Sequence, residues 1–130
     1  MWVDRRGQET PVAAPPRPYA NVRLSPDGTQ AAMEVEDQDQ DIWVWHFGRQ
    51  TLTRVTTDPG LDETPVWTRD GRRLVFTSQA GGVLGSLFWQ AADGTGRAEP
   101  LTESRSIQRA TDMLPNGTKV VFSADAGLMT

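Results

Sequence analysis

An all-β fold of repeated four-stranded units is what this sequence predicts, and three observations predict it. First, a turn recurs. Leu24-Ser25-Pro26-Asp27-Gly28 returns as Trp67-Thr68-Arg69-Asp70-Gly71 and as Met113-Leu114-Pro115-Asn116-Gly117, with the glycines 43 and then 46 residues apart. Second, the flanks keep register with it. Val12, Val55 and Leu101 stand sixteen residues before the three glycines, and Ala31-Ala32-Met33, Leu74-Val75-Phe76 and Val120-Val121-Phe122 stand three to five residues after them. Third, no stretch holds apolar residues at helical spacing, while Gly and Pro interrupt the chain at short intervals.

Each element follows from local chemistry. In the middle unit the strands are expected at Leu52–Thr56, Pro65–Thr68, Arg73–Ser78 and Leu87–Gln90. The second and third are joined by the Asp-Gly turn. Pro26 presets φ, Asp27 can hydrogen-bond the nearby backbone, and Gly28 accepts positive φ; Asn116-Gly117 does the same in the third unit. The unbroken apolar triplets after each turn suit a strand buried on both faces. An aromatic run follows, Ile42-Trp43-Val44-Trp45 and then Leu87-Phe88-Trp89, and Met1-Trp2-Val3 is the same element at the start of the chain. Gly81-Gly82 falls in the next hairpin, and Gly48 and Gly94 in the one after that. The four prolines between Thr10 and Pro18 fit an edge strand and the connector to the next unit, where no backbone N–H is needed.

Four-stranded units at this period indicate β-propeller blades, with boundaries near 1–47, 48–92 and 93–130. The residues also resemble a family. Ser25-Pro26-Asp27-Gly28, Asp41-Ile42-Trp43-Val44 and Leu52-Thr53-Arg54-Val55-Thr56 are similar to the Ser-Pro-Asp-Gly, Asp-Ile-Trp and Leu-Thr elements of the TolB-type, WD-repeat-like propeller. The resemblance implies a non-catalytic scaffold without cofactors, with an extracytoplasmic, periplasmic setting for the parent protein. Similar blades occur beside prolyl-oligopeptidase-type hydrolase domains and in the sensor regions of bacterial Ser/Thr kinases. About three blades are present, whereas closed propellers use about four to eight. Two expectations follow: a fragment of a longer propeller, or half of a six-bladed ring closed by a second copy.

Composition narrows the function. The 130 residues are 37% hydrophobic with a net charge of −4 and interspersed signs, so no basic stripe awaits a phosphate backbone and nucleic acid is not an expected partner. Cysteine is absent, which excludes thiolate metal sites and disulfides. No run reaches transmembrane length, so direct membrane insertion is not expected. The start of the chain shows no secretory leader, because Met1-Trp2-Val3 passes straight into Asp4-Arg5-Arg6.

Candidate chemistry is sparse. Asp37, Asp39 and Asp41 imitate the opening of a calcium loop, but Ile42 stands where that loop needs glycine and Gly48 where it needs a bidentate glutamate. The run Glu34–Asp41 therefore reads as a solvated hairpin tip, with Asp41 accepting backbone N–H bonds at the head of a strand. His46 is the only histidine, and the chain has no Gly-x-Ser-x-Gly elbow, no His-Glu-x-x-His and no phosphate loop. Trp2, Trp43 and Trp67 sit at repeat positions and are expected between blades; Trp45 is the aromatic best placed to face a ligand, with His46 beside it. The expected function is binding of a protein or peptide, with Arg5, Arg6, Trp45, His46, Arg69, Arg72 and Arg105 as loop residues facing it. The alternative is an accessory propeller that senses or gates access in a larger enzyme.

Overall fold

The computed structural model describes residues 1–37, 39–57, 60–79, 85–103 and 106–124. Twelve strands appear among them: β1 (Trp2–Val3), β2 (Glu9–Thr10), β3 (Tyr19–Leu24), β4 (Gln30–Glu36), β5 (Gln40–His46), β6 (Thr51–Arg54), β7 (Asp62–Trp67), β8 (Arg73–Ser78), β9 (Ser86–Ala91), β10 (Glu99–Pro100), β11 (Gln108–Met113) and β12 (Val120–Ala124). They form two complete antiparallel sheets, β3-β4-β5-β6 and β7-β8-β9-β10, flanked by the two-stranded sheets β1-β2 and β11-β12. This is the all-β, four-stranded blade architecture that the repeat predicts.

The sheets are offset from the repeat by one strand. β6 pairs with β5 and β10 with β9, so hydrogen bonding groups Thr51–Arg54 and Glu99–Pro100 with the strands before them. The unit boundaries at 47/48 and 92/93 thus cut each sheet before its outer strand. A repeat can be divided at any phase, whereas the backbone ladder has only one order.

The recurring turn is built three times from the same bonds. Gly28 N–H donates to Ser25 O, Gly71 N–H to Thr68 O and Gly117 N–H to Leu114 O, at 2.9, 2.9 and 2.8 Å. In each turn the Asx side chain accepts the N–H two residues on: Asp27 Oδ1 from Thr29, Asp70 Oδ1 from Arg72 and Asn116 Oδ1 from Thr118, all at 3.0 Å. Thr68 replaces Ser25 without loss, since both hydroxyls donate to the turn aspartate. The glycines have φ of 74°, 71° and 74°. A Cβ on Gly28 would meet nothing within 4 Å, so the whole cost of Gly28→Ala is backbone strain. Urea unfolding is expected to show a loss of about 1–2 kcal/mol. Gly48→Ala, where φ is not positive, serves as the control and should fall well below that.

Sheets stack through alternate faces of their second strands. Ala32, Ile42, Val44 and Val55 of the first complete sheet pack on Trp67, Leu74, Phe76 and Ala92 of the next. Val66, Val75 and Leu87 then pack on Ala110 and Met113. On the other side of the first sheet, Ala31, Met33, Val35 and Trp45 meet Val12 and Ala14 of the Pro-rich connector. The position four after the turn glycine therefore faces the following blade, and those three and five after it face the preceding one. Pro100 lies in an edge strand and Pro65 at a bulge in β7, the two places where a strand tolerates a missing donor. Gly81-Gly82 lies outside the described residues.

Candidate functional sites at the two rims

Antiparallel order sends the turns to opposite ends of each sheet. The β3–β4, β5–β6, β7–β8 and β9–β10 turns share one rim with the β1–β2 turn. The β4–β5 hairpin and the connectors between sheets form the other.

Of the predicted ligand-facing residues, the first rim gathers Arg5, Arg6, His46, Arg69 and Arg72. Arg5 and Arg6 are exposed in the β1–β2 turn. Arg72 is exposed and lines an open cavity of about 320 Å³ with Gln30, Gly71, Arg73, Ala91, Ala92 and Asp93. His46 is half-buried, and its Nδ1 accepts the Arg49 N–H at 3.1 Å, so its ring closes the β5–β6 turn.

Two of the set are engaged by their surroundings. Arg69 is committed to the neighbouring sheet: its guanidinium donates to Leu114 O at 3.1 Å and to Met113 O, and pairs with Asp112 at 3.4 Å. It stands where the first turn has Pro26. Trp45 is only 4% exposed and packs with Ala31, Met33 and Val35, which makes it core rather than a loop-borne contact. A strand-end aromatic looks the same in sequence whether its face is covered or open. Arg105 lies outside the described residues.

The opposite rim holds a polar cavity of about 400 Å³ lined by Arg17, Val35, Asp37, Asp39, Asp41, Trp43 and Arg54. Arg17 pairs with Asp37 at 2.6 Å and lies over the Trp43 ring, 4.6 Å from its centroid. The acidic run is only partly the solvated tip expected of it. Asp37 and Asp39 are exposed, but Glu34 and Asp41 are buried. Among the described residues, Asp41 pairs with the Arg54 guanidinium and accepts Thr56 Oγ1 at 3.2 Å. Thr56 Oγ1 in turn accepts the Ile42 N–H at 2.9 Å. Among the described residues, no three His, Asp or Glu side chains converge as metal ligands.

Sequence reasoning missed two carboxylates between blades. Glu34 accepts the Thr64 N–H at 3.0 Å across the sheet boundary, together with the amides of Asn21 and Gln40. Asn21 and Thr64 both adopt positive φ, 51° and 52°, at bulges 43 residues apart. One repeat later Thr77 occupies the place of Glu34 and donates to Gln108 O. Asp62 is buried at the same boundary, and its Oδ2 has no hydrogen-bond partner. Burial pushes its carboxyl up from 3.8 to about 7; hydrogen bonds from Ser78 and Thr56 oppose the rise and neighbouring Asp41 adds to it. The available signal was the repeat itself, since Glu34, Thr77 and Ser123 share one register position and Tyr19, Asp62 and Gln108 another.

Comparison with known proteins bears on the whole arrangement. No protein-family model matches the chain. The Tol-Pal system protein TolB of Francisella tularensis subsp. tularensis is 27% identical over 81 residues, which is 62% of this chain and 18% of that protein. The TolB of Francisella tularensis subsp. holarctica matches over the same extent. The matched segment is thus less than a fifth of the length of these relatives. Among solved structures, a protein described as TolB from Agrobacterium tumefaciens superposes with a TM-score of 0.73 at 27% identity, covering 91% of this chain and 42% of the other. TolB from Acinetobacter baumannii gives a TM-score of 0.68 at 24% identity, covering 78% and 25%. A chain from a study of two prolyl endopeptidases shares the fold, with a TM-score of 0.64 at 14% identity, covering 82% and 18%. Repeat register, turn chemistry, sheet order and these likenesses agree: the chain is built of TolB-type β-propeller repeats.

Proposed function

We propose that this chain is a non-catalytic scaffold that binds a protein or peptide at the rim carrying the Asp-Gly turns. The observation that carries this reading is the open cavity beside Arg72, lined by Gln30 of one sheet and by Arg72, Arg73 and Asp93 of the next. Arg5 and Arg6 add exposed cations to a rim whose turns also expose Asp4, Asp27, Asp70 and Asp93, and these arginines are the groups open to the carboxylates of a partner segment. The relatives' name places them in the Tol-Pal system, which supports a protein partner. A second copy of the chain belongs to the same reading, as the other half of a six-bladed ring.

Peptide-display selection on the immobilised chain tests the rim. Selected sequences are expected to be acidic, and Arg72→Glu with Arg5→Glu should weaken their binding by about tenfold or more, as for loss of one or two charge-assisted contacts. Binding unchanged in that double variant would remove the rim from consideration. The accessory-propeller reading draws on the prolyl endopeptidase likeness, which concerns fold alone. A Gly-x-Ser-x-Gly region or a kinase domain encoded in the same reading frame would favour it.

A further inference from the structure

Asn116 carries an amide at the place in the recurring turn where Asp27 and Asp70 carry a carboxylate. It is followed by Gly117, whose lack of a side chain removes the usual hindrance to backbone attack on the Asn116 amide carbon. Both residues are exposed, as Asp27, Gly28 and Asp70 are in the two complete sheets, so the exposure belongs to the turn itself. We propose that Asn116 is a site of deamidation that the folded turn restrains, and that its aspartyl product closes the same turn.

Only groups of the chain and water take part. The Gly117 nitrogen gives up its proton and bonds to the Asn116 side-chain carbon, and the side-chain nitrogen takes up a proton and leaves as ammonia. Water then opens the cyclic imide at one of its two carbonyls. The product is aspartate, or isoaspartate with an extra methylene in the backbone. The fold opposes the first step. The Gly117 N–H donates to Leu114 O at 2.8 Å, and its nitrogen can attack only after that bond opens. Leu114 O is itself braced from the neighbouring sheet: it accepts Arg69 Nε at 3.1 Å, while the same guanidinium holds Met113 O. A Cβ on Gly117 would stand 3.5 Å from Arg69 Cβ, so the arginine stem also lies beside the reacting nitrogen. Arg69 is thus a positioning residue, acting through the carbonyl that engages Gly117.

The fold accepts the product. Asn116 Oδ1 takes the Thr118 N–H at 3.0 Å and the Thr118 hydroxyl at 2.7 Å. Asp27 Oδ1 takes the same pair from Thr29 at 3.0 and 2.8 Å, and Asp93 Oδ1 from Thr95 at 2.9 and 2.6 Å. An aspartate at position 116 therefore finds its donors already in place. Bonds of this kind hold the Asp27 and Asp93 carboxyls below the usual range, so they favour the ionised product. Conversion to aspartate keeps the turn and adds one negative charge to it. Isoaspartate does not, because the extra methylene displaces the Gly117 N–H from Leu114 O.

Peptide mass spectrometry of the full chain, held in mildly alkaline buffer with and without urea, tests the site. Asn116 should convert in urea and at least about tenfold more slowly in the folded chain, where the turn must first open locally. Asn21, followed by the branched Val22, should persist in both and serves as the internal control. No conversion of Asn116 in urea overturns the site, and equal rates overturn its protection by the fold. Arg69→Ala should raise the rate in the folded chain and leave the rate in urea unchanged. A folded-chain rate that does not move overturns the positioning role of Arg69. Asn116→Asp should keep the circular dichroism spectrum and the urea midpoint of the unaltered chain at neutral pH, or raise that midpoint. A lower midpoint overturns the fit of the product.

Discussion

Trp67→Ala should lower the unfolding free energy by about 3–5 kcal/mol in urea titration. That is a large share of the total of about 5–15 kcal/mol typical of a domain. Trp67 is buried in the cluster joining the two complete sheets, and its indole N–H donates to Arg23 O at 2.8 Å across the boundary. Removing the ring leaves a cavity between blades and also strips a carbonyl of its donor. Trp67→Phe separates the two effects: most of the packing stays, and the lost hydrogen bond should cost about 1–3 kcal/mol. A loss under about 1.5 kcal/mol for Trp67→Ala would show that the sheets are not held together through this face. The neighbouring contact from Arg23 to Thr111 O, at 3.2 Å, places the first strands of three successive sheets side by side, so the damage would spread beyond one pair.

Stability should fall as pH rises from about 4 to about 7, and Asp62→Asn should flatten that fall. Burial raises the Asp62 carboxyl from 3.8 to about 7, so the folded chain holds its proton more tightly than the unfolded chain does. The associated stability is fully present below the unfolded value and is lost as pH passes through the folded one. A single proton contributes a slope of at most about 1.4 kcal/mol per pH unit. Asn keeps an uncharged side chain of the same shape between Asp41 and Ser78, so the variant should be the more stable protein at pH 8. Asp27 acts in the opposite sense at the acid end. The Thr29 N–H, the Ser25 hydroxyl and the Thr29 hydroxyl hold its carboxyl down at about 2, so its contribution is present above 3.8 and lost as pH falls toward 2. Asp70 and Asp93 are lowered by similar turn bonds. Thermal melts across pH 2–9 should therefore peak on the acid side of neutrality. A flat profile between pH 4 and 8 in the unaltered protein would contradict the buried, protonated state of Asp62.

The fold was legible because its signals are local and repeated. A turn that demands positive φ at Gly28, Gly71 and Gly117 leaves the same residues in each copy, and β4 and β8, covered on both faces, carry the apolar triplet. β12 repeats that triplet, but with Val121 and Phe122 exposed, which corrects the expectation of burial on both faces there. The candidate site was less legible. Arg69 and Arg72 are turn arginines separated by two residues, both exposed and both lining open cavities, yet the guanidinium of Arg69 also donates to Met113 and Leu114 of the neighbouring sheet. Reach and direction separate them, and neither is written in residue type. Trp45 and Trp2 likewise occupy adjoining places in the aromatic repeat, but one is enclosed and the other is half-open.

By itself, then, the sequence determined the strand count per unit, the turn chemistry and the period, all of which depend on contacts within a few residues of each other. Only the tertiary structure decided which polar groups are drawn between sheets, as Glu34 and Asp62 are. Those outcomes depend on what the neighbouring sheet supplies across the gap. A buried carboxylate is sustained by a donor some thirty residues away, such as the Thr64 N–H that meets Glu34, and that encounter exists only once the sheets have stacked.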